Sequence, residues 1–90
     1  MPYTIICHDK SNHLDVRKKS RDDHLKYLET FKKKIILAGP LLNKKGLPTG
    51  SVIILDLDSE TDVKKFIKND PYKLAGLFKK TEVLKFKKVF

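Results

Sequence analysis

A histidine that could pair with a carboxylate is the strongest chemical signal in this sequence of 90 residues. His24 precedes Leu28 by four residues and Phe31 by seven, which places the imidazole on or beside the buried face of a helix. Asp70 or Asp9 could supply the carboxylate, which fixes the tautomer of an imidazole and raises its basicity. Such a pair is a general base for proton transfer. The alternative is a structural histidine with satisfied hydrogen bonds, and the residues alone favour neither interpretation.

Other polar residues near this pair have structural alternatives of their own. Arg21, in the first turn of the expected helix, is either an anion clamp or a solvated side chain. Its unfavourable position in the helix dipole points to a specific partner. Asp70 stands before Pro71, a combination typical of turns, and Asp9 could equally be a turn former. The sequence therefore offers candidates for a binding site without excluding these structural roles.

The cysteine and the remaining histidines do not form a recognisable reactive or metal-binding motif. Cys7 and His8 are adjacent in a predicted strand, so their side chains point to opposite faces and cannot act on one atom together. We expect Cys7 to be a small apolar filler. His8, His13 and His24 lack a known ligand spacing, and the chain has no phosphate loop or dinucleotide fingerprint. We therefore expect neither a metal nor a cofactor.

The positive charge is carried almost entirely by lysine. The 20 basic residues comprise 18 lysines and 2 arginines, and the formal net charge is +9. Arginine is the better phosphate-binding and base-reading side chain, and the lysines are spread over the whole chain. No aromatic RNA-binding signature or zinc-finger spacing accompanies them. We therefore expect a solvated lysine-rich surface, and nucleic-acid binding is disfavoured.

Length and composition indicate one domain spanning residues 1–90. Hydrophobic residues make up 40% and charged residues 34%, which is typical of a globular chain. No apolar run approaches the ~20 residues that a membrane span needs, and the N-terminal segment does not resemble a signal peptide. The single cysteine excludes an internal disulfide and is typical of a reducing compartment. We expect a cytoplasmic protein without membrane association.

Hydrophobic periodicity and breaker residues divide the chain into four strands and two helices. In chain order the predicted elements are a strand over 2–8, a helix over 21–34, strands over 35–42 and 51–58, a helix between Ser59 and Asp70, a short connector over 72–76 and a strand over 81–90. Ser20 and Ser59 each stand three residues before an acid, as in a capping box. A start of the first helix nearer Asp15 is an alternative.

The order β-α-β-β-α-β predicts a ferredoxin-like α+β fold. Its four-stranded sheet is antiparallel and carries both helices on one face. The other face presents apolar side chains that nothing else in the chain can cover. A second subunit is the simplest cover, so we predict a homodimer that packs sheet to sheet.

This topology brings polar residues from distant parts of the chain to one end of the sheet. The first helix begins where the first strand ends, and the connection between the second and third strands and the end of the second helix meet there too. The residues gathered at this end are Asp9, Arg17, Arg21, His24, Gly39, Pro40, Ser51, Asp70 and Tyr72. The cluster depends on topology, because no local motif contains these residues.

Short segments along the chain also occur together, in the same order, in one known family. These segments are Tyr3–Lys10, Arg17 with Arg21, His24, Leu25 and Leu28, then Ala38–Pro40, Thr49–Ser51, Asp70–Tyr72 with Ala75–Gly76, and Phe86–Phe90. Together they resemble the YciI-like (YCII-related) family over nearly the full chain. The resemblance implies a dimeric α+β barrel and a His–Asp pair formed by His24 and Asp70 in a cleft. It also implies acid–base chemistry on a small aromatic or cyclic compound, as in a dehydrochlorinase relative.

We therefore predict a small acid–base enzyme of the lyase, isomerase or dehydrochlorinase type. His24 would transfer the proton, Asp70 would orient it, and Arg21 with nearby backbone donors would hold an anionic oxygen of the substrate. The predicted substrate-binding residues are Arg21, Asp9, Arg17, Gly39, Pro40, Ser51 and Tyr72. The polar segment 10–20 could form a lid over the cleft. The alternative is a non-catalytic dimer that binds a small ligand, which the sequence does not separate from the enzyme.

Overall fold

The computed structural model describes residues 2–90, which form one antiparallel sheet and three helices. In chain order the elements are β1 (Pro2–Asp9), α1 (Leu14–Glu29), β2 (Ile35–Leu42), β3 (Pro48–Asp56), α2 (Glu60–Lys68), α3 (Pro71–Leu74) and β4 (Phe78–Lys85). The strand order is β2-β3-β1-β4, and each neighbouring pair is antiparallel. This arrangement confirms the ferredoxin-like fold.

The first helix begins earlier than the capping pattern predicts. α1 runs from Leu14 to Glu29, so the prediction of a helix over 21–34 is wrong and the alternative start near Asp15 is correct. Ser20 lies inside the helix and caps nothing, whereas the N-cap position is His13, whose side chain makes no capping bond. The residues before Ser20 are mostly polar, so the first turns of α1 show little of the hydrophobic periodicity that predicts a helix. The predicted lid over 10–20 is wrong for residues 14–20, which form the first two turns of α1.

Other boundaries differ by a few residues. β3 begins at Pro48 and β4 at Phe78, each three residues before the predicted start, and β4 ends at Lys85. The predicted connector over 72–76 begins inside the short helix α3, for which Pro71 supplies the favourable first position. The start of α2 agrees with the sequence, because Ser59 caps it by accepting the N–H of Asp62 at 3.2 Å.

One face of the sheet is packed against the helices. Tyr3, Ile5 and Cys7 alternate along β1 and are buried in a core that includes Val63 and Phe66 of α2. α1 and α3 contribute further side chains to the same core. Because β1 and β3 lie in the middle of the sheet, the residues at their ends reach the helices and can take part in a common site.

The opposite face of the sheet carries apolar side chains that no helix of residues 2–90 covers. Its residues alternate with those of the core and include Ile6, Leu37, Val52, Ile54 and Leu84. Leu37 and Leu84 are 51% and 53% exposed. Among the helices formed by residues 2–90, none has the length and apolar character needed to cross a membrane.

Candidate functional site

Helical spacing on α1 directs a line of functional side chains toward the sheet. Arg17, Arg21, His24 and Leu28 follow one another at intervals of four, three and four residues, so they share one side of the helix. All four face a cavity between α1 and the strands β2 and β3. The early start of α1 therefore matters for the site, because it places both arginines on the same helical face as His24.

The cavity has a volume of about 250 Å³ and mostly apolar walls. Its lining comprises Arg17, Lys18, Arg21, His24, Leu25, Leu28, Ala38, Gly39, Pro40, Pro48, Ser51, Ile53 and Tyr72. A cavity of about 150 Å³ can hold benzene. The space in this protein therefore fits a single six-membered ring with several substituents.

His24 and Asp70 form a buried hydrogen bond at the wall of this cavity. His24 Nδ1 lies 2.8 Å from Asp70 Oδ1, and the two residues are only 6% and 2% exposed. The same carboxylate oxygen caps α3 by accepting the Tyr72 N–H at 2.9 Å. Because Oδ1 is an acceptor in both bonds, Nδ1 carries the hydrogen, and in a neutral imidazole Nε2 is then the acceptor. Nε2 has no partner among residues 2–90 and is open to the cavity.

Tyr72 stacks on the imidazole. The two ring centroids are 3.8 Å apart and their planes are inclined by only 12°. Tyr72 itself is 2% exposed, and burial raises the pKa of its phenol although Arg17 and Arg21 oppose that shift. The phenol therefore remains protonated over the neutral pH range.

A second buried cluster, here called the arginine clamp, consists of Arg17, Asp9 and Ser51. Arg17 Nε donates to Asp9 Oδ2 at 2.7 Å, and Nη2 donates to Asp9 Oδ1 at 2.9 Å and to Ser51 Oγ at 3.0 Å. Burial disfavours the guanidinium charge, but the bonds to Asp9 outweigh burial and raise the pKa of Arg17 above its ordinary value. The clamp ties α1 to β1 and β3.

The backbone beside Ser51 is closely packed against β1. A Cβ atom at Gly50 would collide with the carbonyl oxygen of Cys7, so only glycine fits there. Cys7 is the cross-strand partner of Ser51 and is 2% exposed. Burial raises its pKa to about 11, so the thiol is protonated and inert at neutral pH, as expected for a filler.

Arg21 differs from Arg17 although it stands only one helical turn away. It is exposed at the mouth of the cavity and makes no hydrogen bond or ion pair with any of residues 2–90. Lys18 lies beside it on the same rim, also exposed. The rim is therefore positively charged and unneutralised, which suits an anionic ligand.

The structure brings most of the predicted site residues to one cavity. Gly39, Pro40, Ser51 and Tyr72 line it together with the two arginines, His24 touches it, and Asp70 stands behind His24. Asp9 does not line the cavity, because both of its carboxylate oxygens are bonded to Arg17.

Sequence reasoning missed Lys18 and did not name Leu25, Ala38 and Ile53 as the residues that form the apolar walls. The spacing of Arg17, Arg21 and His24 was the available signal for an earlier helix. Within the described part of the chain, no three His, Cys, Asp or Glu side chains are placed to share a metal ion.

The fold and the cleft define a class of protein: a ferredoxin-like α+β domain in which a buried His–Asp pair opens onto a small cavity. The YCII-related domain matches residues 1–87. The chain belongs to the YCII-related, YciI-like family, which confirms the resemblance drawn from its short segments.

Two curated relatives match this chain along its full length. The chain is 33% identical to Protein YciI of Escherichia coli O6:H1 over 98 aligned positions, with both chains fully covered. It is 31% identical to an uncharacterized protein of Haemophilus influenzae, again with full coverage of both.

A solved structure of an enzyme is also similar. It is 5-chloro-2-hydroxyhydroquinone dehydrochlorinase from Burkholderia phenoliruptrix AC1100, in complex with 2,5-dihydroxybenzoquinone. The sequence identity is 37% and the TM-score is 0.91, over 97% of this chain and 94% of that chain. This relative is an enzyme that has the same fold.

Proposed function

We propose that this protein is a small enzyme that moves a proton on a compact, anionic, single-ring substrate, as in dehydrochlorination, related eliminations or isomerisation. The orientation of His24 carries the proposal. Asp70 holds Nδ1 at 2.8 Å, while Nε2 has no partner among residues 2–90 and opens onto the cavity. An imidazole with one nitrogen fixed by a carboxylate and the other accessible is equipped to act as a general base.

Loss of HCl is a reaction that this arrangement could catalyse without a co-reactant. His24 would take a proton from the substrate at Nε2, and the electrons of the broken bond to hydrogen would form a new double bond. Chloride would leave with the electron pair of the carbon–chlorine bond. Asp70 would stabilise the imidazolium that forms. The similarity to 5-chloro-2-hydroxyhydroquinone dehydrochlorinase supports this type of reaction.

The charge and the shape of the cavity support a flat anionic substrate. Arg21 and Lys18 on the rim would bind a phenolate or carboxylate oxygen, since neither is neutralised by a nearby acid within residues 2–90. Leu28 and Ile53 offer apolar surfaces to the ring. Backbone donors near Gly39 could bind a second oxygen, as the sequence predicts.

The test is chloride release from 5-chloro-2-hydroxyhydroquinone and from a panel of other ring-hydroxylated chloroaromatic compounds. The assay is run without oxygen, so that air does not oxidise the substrates. We expect turnover by the wild-type protein and a loss of about 10²–10⁴-fold in His24→Gln. The matched control is His13→Gln, which changes a histidine that does not line the cavity and is expected to retain activity.

Two outcomes would contradict this assignment. Undiminished turnover in His24→Gln would show that another group accepts the proton. Saturable binding of these compounds, without turnover in the wild type and unchanged in His24→Gln, would favour a non-catalytic ligand-binding protein. The second outcome would keep the cavity as a binding site but would remove the reaction.

We also propose that two copies pack through the uncovered face of the sheet. Ile6, Val52 and Ile54 form its centre, and Leu37 and Leu84 extend the apolar surface toward its two edges. A twofold axis lets one such face cover an identical face, so a second copy needs no other complementary surface. Burial of this area would be favoured by the hydrophobic effect.

Sedimentation measurements test this dimer. We expect the wild-type protein to sediment as a dimer and Leu84→Asp to shift toward monomer, because a carboxylate would be buried at the interface. Leu74→Asp is the matched control, since Leu74 is 71% exposed on α3, away from the sheet face. A monomeric wild type, or an equal shift in both variants, would refute the proposed interface.

A reducing compartment such as the cytoplasm is the proposed location. Cys7 is the only cysteine, and it is free and buried. A chain stabilised without disulfides is typical of such compartments. Fractionation of cells that produce the protein would test the location.

A further inference from the structure

One aromatic ring joins the arginine clamp to the His24–Asp70 pair. Tyr72 lies parallel to the His24 imidazole at a centroid distance of 3.8 Å. The guanidinium carbon of Arg17 lies 4.7 Å from the centroid of the same tyrosine ring. Arg17 and His24 are seven residues apart on α1, which corresponds to about 10 Å of helical rise. Tyr72 therefore fills the space between them.

Tyr72 is also held in place by contacts with residues other than Arg17 and His24. Its backbone N–H donates to Asp70 Oδ1 at 2.9 Å, which places it in the capped first turn of α3. Its ring also contacts Phe78 edge to face, with centroids 6.1 Å apart and planes at 84°. With a side chain that is almost wholly buried, Tyr72 has little freedom to turn.

We infer that Tyr72, supported by the arginine clamp, is a positioning residue that sets the plane of the His24 imidazole. A single hydrogen bond from Nδ1 to Asp70 fixes the direction of that N–H but still allows the plane of the imidazole to tilt. A parallel ring at 3.8 Å removes this freedom and keeps Nε2 directed at the cavity. Arg17 then acts on His24 through Tyr72. The inference rests on the proposed function, because the group it positions is the proposed base.

The stack also has a consequence for the tautomer of His24. When the imidazole tilts out of the plane in which Nδ1 faces Asp70, it loses the hydrogen bond and the parallel contact with Tyr72 together. The ring contact therefore adds to the preference for the orientation in which Nδ1 carries the hydrogen. Stacked aromatic pairs contribute enough to change such a ratio roughly two- to tenfold.

The test measures this tautomer by NMR on protein labelled with ¹⁵N in its histidines. The Nδ1 and Nε2 chemical shifts, recorded at about pH 9 where a free imidazole is neutral, give the ratio of the two tautomers. In Tyr72→Leu we expect the ratio of the Nδ1–H form to the Nε2–H form to fall roughly two- to tenfold. In Tyr72→Phe we expect the wild-type ratio, because the ring is retained.

Two more variants separate positioning from general destabilisation. Asp9→Asn weakens the clamp without touching His24, and we expect a change in the same direction that is smaller than in Tyr72→Leu. This variant also keeps the inference testable if Tyr72→Leu does not fold. Phe66→Leu is the matched control, since it removes a buried ring that contacts Phe31 at 4.8 Å and not His24. We expect it to leave the ratio unchanged.

Equal tautomer ratios in the wild type, Tyr72→Leu and Asp9→Asn would overturn the inference. An equal change in Phe66→Leu would also overturn it, because it would show that any loss of core packing releases His24. The measurement needs no substrate. A positioned His24 in a protein that turns over nothing would therefore refute the proposed function alone, whereas turnover with an unpositioned His24 would refute this inference alone.

Discussion

The arginine clamp and the His24–Asp70 pair are both buried, both contain a carboxylate, and both lie at the same end of the sheet. They differ in what they leave unbonded. Arg17 directs Nε and Nη2 at Asp9 and Ser51, so the carboxylate of the clamp is fully bonded and the arginine meets the cavity with only part of its guanidinium. His24 gives one nitrogen to Asp70 and leaves the other open to the cavity. Burial of a charged group therefore does not identify a site of chemistry here; an unbonded reactive atom facing a cavity does.

The two clusters should also differ in their roles, because one stabilises the fold and the other takes part in the proposed reaction. A buried ion pair costs desolvation energy, which is recovered only while both partners are present and well bonded. The clamp meets that condition and connects β1, α1 and β3. The His–Asp pair connects α1 to α3 through one oxygen that also caps a helix. Substitutions in the clamp should therefore change mainly folding, and substitutions in the pair should change mainly turnover.

The largest expected effect comes from Asp70→Asn. Asparagine is still a good N-cap for α3, so we expect the free energy of unfolding to fall by less than about 1 kcal/mol. Its amide has no negative charge to stabilise an imidazolium, so we expect turnover of a substrate found in the chloride-release screen to fall about 10²–10⁴-fold. Urea denaturation and steady-state kinetics on one preparation measure both quantities. If turnover fell only as much as the amount of folded protein, the His24–Asp70 pair would not differ from the clamp in its role.

Arg17→Ala should have the largest effect on stability. It would leave the Asp9 carboxylate buried without its partner, and we expect the free energy of unfolding to fall by about 3–5 kcal/mol. Arg21→Ala, one helical turn away, removes an exposed and unpaired arginine and should change stability by less than about 0.5 kcal/mol. Urea denaturation of the two variants makes the comparison. Similar values for the two would mean that the clamp does not stabilise the fold.

Gly50→Ala tests how closely the backbone next to the arginine clamp is packed. The added methyl group would meet the carbonyl oxygen of Cys7 and displace the strand that carries Ser51. We expect a loss of about 1–3 kcal/mol in the free energy of unfolding. Gly39→Ala is the control, because a Cβ there meets no atom within 4 Å. If thermal or urea unfolding showed the two alanines to be equally tolerated, β1 and β3 would not be as closely packed as described.

The smallest expected effect is a loss of stability at alkaline pH that depends on Cys7, the cross-strand partner of Ser51. Burial raises the pKa of Cys7 from 9.0 to about 11, so the folded protein holds this proton more tightly than the unfolded chain. The corresponding stabilisation is complete below pH 9 and is lost as the pH rises toward 11. Cys7→Ala should therefore show a shallower decline in unfolding free energy over this interval. Burial also raises the pKa of Tyr27 to about 12, so part of the decline should remain. A decline of unchanged slope in Cys7→Ala would exclude this role for the thiol.

Local patterns were sufficient to predict much of the fold. The apolar run of β2, bounded by lysine and asparagine, predicts its limits of 35–42 correctly, and Ser59 marks the start of α2. The order of the elements then leads to the ferredoxin-like topology, because few arrangements satisfy the connection rules. The start of α1 was predicted only as the alternative near Asp15, since its first turns are polar and its N-cap residue makes no side-chain bond. α3 was missed because four residues are too few to show periodicity.

The sequence by itself determined which side chains meet at one end of the sheet, because the order of the elements brings those segments together. The residue types and their spacing did not decide how they pair; the tertiary structure did, and it agrees with the His24–Asp70 pair that the family resemblance implies. From residue types, Asp9 and Asp70 were equal candidates to bond His24, yet Asp9 bonds Arg17 and Asp70 bonds His24. The physical reason is that hydrogen bonds act over about 3 Å. At that range, the rotation of α1 about its axis and the capped turn of α3 decide which donor reaches which oxygen. Neither feature can be predicted from a local sequence pattern.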